Sequence, residues 1–220
     1  DIALHFGTLI AVLLYFKEDI KQMLQDTLLH VKTKKSSPGS LLFLQLVIAT
    51  IPVGIAGLLL HDYVETIMRS AVVIGFSTIF FGIFLYLSDR YSIKAKENIS
   101  THTAILMGIA QAIALIPGTS RSGITLTAGL ALGLNRQLAA RFSFLMAIPV
   151  ISLAMLLEMK KMLASPAAQP WLAIGVGAVI SAVCAYACIH YFLKILNKLG
   201  VVPFVIYRFF LGATLLYLFY

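Results

Sequence analysis

The sequence predicts an all-α integral membrane protein of about six transmembrane helices plus a re-entrant helical hairpin at 103–134, arranged as an inverted-topology repeat. Three observations carry that expectation. Of 220 residues, 60% are hydrophobic and 12% charged, with a mean hydropathy of +0.94; soluble domains run at about 45–50% apolar residues. A water-soluble fold of this length cannot hide so much apolar side chain, whereas a bilayer removes the need to hide it. Apolar runs of spanning or near-spanning length recur along the chain, and one polar stretch, IPGTSRSGIT at 116–125, interrupts two runs that otherwise suit lipid.

The runs fall at about 2–16, 41–60, 71–88, 142–157, 171–193 and 204–219, against roughly 20 residues for a crossing. Between the third and fourth, the polar stretch is flanked by 103–116 and 124–134. At 1.5 Å per residue these legs are only about 21 and 16 Å long, so neither crosses a core about 30 Å thick. The segment is either one broken helix that crosses or a hairpin that dips in and returns. Lys17, Lys21, Lys32, Lys34 and Lys35 place a loop at 17–40 on the cytoplasmic side, and two crossings later Arg90, Lys94 and Lys96 join them. A hairpin puts twelve cations inside against three outside, whereas a crossing gives ten against five. The positive-inside rule therefore selects the hairpin.

A weak internal repeat agrees. FFGIFLYL at 80–87 resembles FLGATLLYL at 210–218, and LLLHDY at 58–63 resembles ACIHYF at 187–192. Extending the match backwards sets 2–16 against about 140–153 in the opposite orientation. The chain then reads as a single membrane domain over 1–220, with repeat halves at about 1–88 and 103–220. Inverted repeats place their site near the bilayer midplane, at the repeat interface.

Net charge is +8. Basic loops beside anionic headgroups account for it better than nucleic-acid binding, since no basic cluster is interleaved with aromatics. Cys184 and Cys188 lie four apart in an apolar run with no second Cys or His pair at metal spacing, so they read as packing or lipid-facing residues. The chain opens at Asp1 almost directly in an apolar helix, as if entered partway through.

The break itself carries the chemistry. Pro117 cannot donate to the helix before it, and Gly118 permits a sharp turn. After Gly123 a second half-helix begins, with Ser120 or Ser122 available as its N-cap. Free backbone N–H groups, hydroxyls and a helix N-terminus converge there, a constellation that binds anions and phosphate above all. Arg121 strengthens this, because a guanidinium near the bilayer centre costs about 2.5–3.5 kcal/mol on insertion scales and marks a functional site. The fork of Arg121 fits a phosphate bidentately. Thr125, one turn further, adds a hydroxyl to the same half-helix. The competing reading is a surface turn whose Arg121 snorkels to water.

GTSRSG lacks the Lys-Ser/Thr ending of a Walker loop, and no Cys stands where a cysteine-dependent phosphatase would have it. Attack by serine or by water remains, and either wants a base. All nine carboxylates lie in loops or at span ends. His5 within the first span is a weak candidate base, and His102 opens the hairpin. Gln111, six residues before the break, either orients the loop or pairs with a neighbouring helix.

QAIALIPGTSRSGIT resembles the undecaprenyl-diphosphate phosphatase family of bacitracin-resistance membrane phosphatases, whose Pro-Gly-x-Ser-Arg-Ser-x-x-Thr motif is matched by Pro117, Gly118, Ser120, Arg121, Ser122 and Thr125. ALHFGTLIAVLLYF, RFSFLMAIPV and PFVIYRFFLGA extend the likeness over essentially the whole chain. The resemblance implies hydrolysis of a C55 polyprenyl diphosphate to the monophosphate, recycling the carrier for cell-wall synthesis in the bacterial plasma membrane. It implies that Arg121 grips the diphosphate and that Ser120 is nucleophile or phosphate ligand. Ser122 and Thr125 would bind phosphate oxygens, beside Gly118, Thr119, Gly123 and Gln111 as further substrate-binding positions. It further implies a divalent cation, magnesium or calcium, with no ligand in this chain, and a homodimer. The family's first re-entrant segment, with its Glu-x-x-x-Glu pair and Ser-Ser-Thr-Gly-His stretch, has no counterpart here, so roughly the first fifty residues of an ordinary member are expected to be missing. A lipid or anion transporter on an inverted-repeat fold is the alternative, since fold does not separate the two.

Overall fold

The computed structural model describes residues 2–93, 96–164 and 171–219, the side chains of 61–67, 163 and 164 apart. Among the described residues the regular elements are helices: α1 (Ile2–Tyr15), α2 (Lys17–Thr33), α3 (Pro38–Ile67), α4 (Ala71–Tyr91), α5 (Thr101–Ile113), α6 (Arg121–Ala131), α7 (Arg136–Leu145), α8 (Ala147–Ala164), α9 (Trp171–Leu199) and α10 (Val202–Phe219). By length and apolarity, Pro38–Leu60, Ala71–Tyr91, Arg136–Met162, Trp171–Leu199 and Val202–Phe219 are able to cross a bilayer. The first expected span, α1, has 14 residues. Large apolar side chains such as Ile55, Leu58, Phe76, Phe80, Leu172, Val183 and Phe210 stand exposed, the outward face of a protein solvated by lipid tails. This is a multi-pass, all-α membrane protein.

Residues 17–33 are a helix and not the loop expected from their charge. Lys, Glu, Gln and Leu are strong helix formers. Glu18 and Asp19 sit in the first turn and His30 and Lys32 in the last, each sign matching the helix dipole. Lys34 closes α2 in the left-handed conformation at φ 58°, its N–H on His30 O.

Two compact units form, Asp1–Leu46 with Phe144–Lys194, and Val47–Ser143 with Ile195–Tyr220. In the first, α1 packs on α8. It also meets α9 closely at Gly7, where an added Cβ would lie 2.3 Å from Ala178 O, and Ser181 Oγ donates to Leu4 O at 3.1 Å. Phe144 joins this unit by stacking on Phe16 and meeting Phe192 edge to face.

In the second unit, α4 packs along α10, and α6 packs on both α4 and α5. The backbones of α4 and α10 approach at Gly75 and Gly212, where a Cβ on Gly212 would sit 2.9 Å from Gly75 O; small residues at helix crossings permit such contact in membranes. The two matching segments, FFGIFLYL and FLGATLLYL, lie on these paired helices.

The hairpin returns to where it began. Lys96, just before α5, donates its N–H to Gly133 O at 2.9 Å and accepts from Asn135 N–H at 3.4 Å, just after α6. Ser92 Oγ also donates to Leu130 O. Both ends of the 101–131 segment are thus tied at one level, which is the re-entrant geometry and excludes a broken crossing. Asp89 then holds Arg136 by two parallel bonds of 2.7 and 2.8 Å at the same end, and Asn135 Oδ1 caps α7 by accepting from Leu138 N–H.

Candidate active site at the helix break

The break is built from turns, cap and strain in sequence. Ser100 caps α5 by accepting Thr103 N–H. After Gln111 the helix tightens through bonds from Ala114, Leu115 and Ile116 N–H to the carbonyls three residues back, as helix ends do before a proline. Gly118 takes φ +87°, and a Cβ there would lie 2.4 Å from Ile74 O, so only glycine lets the loop rest on α4. Ser120 follows at φ 67°, ψ 111°, a conformation disfavoured for a residue with a Cβ. Its Oγ accepts Gly123 N–H at 3.2 Å and caps α6. The N–H groups of Arg121 and Ser122, in the first turn of α6, make no backbone bond within the described residues, the orphan donors of any helix start.

Three side chains along the break, Gln111 on α5, Thr119 in the turn and Arg121 opening α6, hold buried polar atoms without a partner among the described residues. Arg121 Nη1, Thr119 Oγ1 and both amide atoms of Gln111 have no partner among the described residues, and Gln111 and Thr119 are fully buried. Buried polar groups are otherwise almost always satisfied, so this cluster of polar atoms marks the break as a candidate binding site. The hydroxyl of Ser120 is at an exposed residue, and Ser122 and Gly123 are half-buried beside it. Thr125 is placed differently: fully buried, its Oγ1 donates to Arg121 O at 2.9 Å and meets Ser143 Oγ at 2.6 Å. It braces the first turn of α6 from behind.

Sequence reasoning missed Arg208. This residue of α10 is 8% exposed; its Nε donates to Thr78 O at 3.1 Å and its Nη2 to Gly118 O at 2.9 Å. Thr78 Oγ1 donates to the same Gly118 carbonyl at 3.2 Å. The signal was present, since Arg208 interrupts an apolar run as Arg121 does, and the same rule about intramembrane charges applies to it.

The donor set at the break is a guanidinium, hydroxyls, an amide and backbone N–H groups, which suits an anion and not a divalent cation, whose ligands are oxygen-rich carboxylates and carbonyls. Among the described residues no group of three or more His, Cys, Asp or Glu is placed to hold a metal. His102 is exposed at the start of α5. His5 lies on α1, in the other unit, with its Nδ1 buried and unpartnered. Cys184 and Cys188 are free and exposed on α9.

The family model for the bacitracin resistance protein BacA matches residues 1–214. The chain belongs to the BacA family. Curated BacA-type relatives agree along its whole length: it is 47% identical over 224 residues to "Undecaprenyl-diphosphatase 2" of Stutzerimonas stutzeri, covering 100% of this chain and 83% of the relative. It is 49% identical over 220 residues to "Undecaprenyl-diphosphatase" of Campylobacter concisus, with the same coverage of both. The corresponding protein of Teredinibacter turnerae is 48% identical over 217 residues, 98% of this chain and 82% of that one. The BacA match includes the break, so the unsatisfied donors belong to a segment shared by a phosphatase family.

Proposed function

We propose that this chain hydrolyses undecaprenyl diphosphate to undecaprenyl phosphate and inorganic phosphate in the bacterial plasma membrane, recycling the lipid carrier and conferring bacitracin resistance. The observation that carries the proposal is the set of buried, unpartnered polar atoms of Gln111, Thr119 and Arg121 along the break, in a chain whose relatives are named for this activity. A diphosphate offers the acceptors these groups lack. Arg121 grips it through its fork, and the free N–H groups of α6 with Ser122 and Gly123 line the phosphate. Ser120 stands at the reacting phosphorus, as nucleophile or as ligand to the phosphate that water attacks. In either case the anhydride P–O bond breaks, the lipid monophosphate leaves, and the second phosphate takes up the oxygen of water.

Phosphate release from a polyprenyl diphosphate in detergent tests the reading, with the full-length protein beside Arg121→Ala. Release by the first and its loss in the second, by about two orders of magnitude as for removal of a transition-state charge partner, is the expected result. A protein that moves the lipid between leaflets of a vesicle but frees no phosphate is a translocator. Trapped phosphoserine at Ser120, or its absence during turnover, separates the two modes of attack.

A further inference from the structure

We infer that Arg208 is a second cationic group of the same site, a positioning residue that fixes the Gly118 loop and supplies the charge that suits the site to a diphosphate. The inference rests on the phosphatase reading and names what that reading leaves out.

Charge is the first argument. Arg208 is 8% exposed, and its bonds go to the neutral carbonyls of Thr78 and Gly118. No carboxylate among the described residues pairs with it. A buried guanidinium without a counter-ion is costly and marks a functional site by default. The nearest place for an anion is the start of α6, because a Cβ added at Gly123 would lie 3.7 Å from Arg208 Nη1. Arg208 therefore brings its charge to the helix N-terminus that Arg121 opens, so that two cationic residues serve one helix start, where a monophosphate would need fewer.

Geometry is the second. Gly118 O receives two donors, Arg208 Nη2 and Thr78 Oγ1, so the carbonyl is held on the α4–α10 side of the loop. That fixes the peptide between Gly118 and Thr119 and, through it, the strained Ser120 cap and the free N–H groups that follow. An arginine reaching both Thr78 and Gly118 spans two elements with one planar group, which a shorter side chain does not.

The test uses full-length protein in detergent with three variants, Arg208→Lys, Arg208→Gln and Thr78→Val, each checked for a monodisperse peak and a thermal transition. Arg208→Gln keeps a donor and loses the charge. Its kcat/KM is expected to fall about ten- to a hundredfold, the range for a charged hydrogen-bonding group. Inhibition by inorganic pyrophosphate should weaken about tenfold more than inhibition by orthophosphate, as loss of a full charge partner predicts. Arg208→Lys should recover most of the pyrophosphate preference, and Thr78→Val, which loosens the loop without touching charge, should lower kcat and leave that preference intact. A folded Arg208→Gln with wild-type kcat/KM and wild-type pyrophosphate preference overturns the inference while leaving the phosphatase reading standing. So does an Arg208→Lys no better than Arg208→Gln. Absence of phosphate release by the wild type defeats the reading itself, and pyrophosphate binding by titration calorimetry to wild type and Arg208→Gln then still decides whether Arg208 serves an anion: equal affinity overturns it, and weaker binding by the variant supports it.

Discussion

The hydroxyls of Thr125 and Ser143 meet at 2.6 Å in a buried contact that ties the first turn of α6 to α7. Removing the Thr125 hydroxyl takes this partner from the buried Ser143 hydroxyl, which costs about 1–3 kcal/mol for a buried polar group. Thr125→Val should lower the melting temperature in detergent and reduce turnover through a loosened helix start, while Thr125→Ser restores both. Equal activity in Val and Ser variants would show that the hydroxyl pair does not brace the site.

Gly118 and Gly123 flank the cap, and they should respond differently to alanine. A Cβ at Gly118 meets Ile74 O at 2.4 Å with φ at +87°, whereas one at Gly123 meets Ser120 Oγ at 3.1 Å. The left-handed conformation alone costs an L-residue about 1–2 kcal/mol. Gly118→Ala should fold poorly and release no phosphate, and Gly123→Ala should stay folded with altered Ser120. Comparable melting curves for the two would contradict this contrast.

Ser120 holds φ 67° and ψ 111° while carrying the hydroxyl at the break. Strained residues of this kind cost about 1–3 kcal/mol, and glycine at an N-cap loses only a few tenths of a kcal/mol relative to serine. Ser120→Gly is therefore expected to melt higher than wild type and to lose activity, a trade of function for stability. A less stable Ser120→Gly would mean that the backbone is relaxed.

Asp89 is 6% exposed and grips Arg136, whose side chain is 34% exposed. Because Arg136 reaches solvent, screening reduces the cost of breaking the pair below the 3–5 kcal/mol of a wholly buried one, to about 1–3 kcal/mol. Asp89→Asn should lower the melting temperature and speed proteolysis near 132–136, with kcat little changed. A large fall in kcat at unchanged stability would assign Asp89 to the chemistry.

Much of this is legible in the amino-acid sequence. The shortness of the two apolar legs and the sidedness of the cations already demanded a hairpin, and its clasp through Lys96, Gly133 and Asn135 bears that out. Arg121 was legible because a charge in an apolar setting needs a reason. Arg208 satisfies the same criterion, but its partners are carbonyls of Thr78 and Gly118, 130 and 90 residues away, which leave no trace in local pattern. Residues 17–33 read as a loop from their charge, although their Lys, Glu, Gln and Leu content favours a helix. The pairing of Arg136 with Asp89, which lies near the end of an apolar helix 47 residues earlier, likewise leaves no trace in local pattern. The buried, unpartnered atoms at the break follow only from tertiary packing.

The clasp at the base of the hairpin makes its legs a plumb line. With both ends moored at one level, the tip hangs at a distance set by the 13 residues of α5, about 20 Å at 1.5 Å per residue. Thickening or thinning the surrounding lipid shifts the tall helices that must match it, but the drop from mooring to tip stays constant. On the proposed reading a headgroup comes to that fixed depth to be cut, so the reach of the lipid, and not the adaptability of the protein, sets which anchored phosphates are within range.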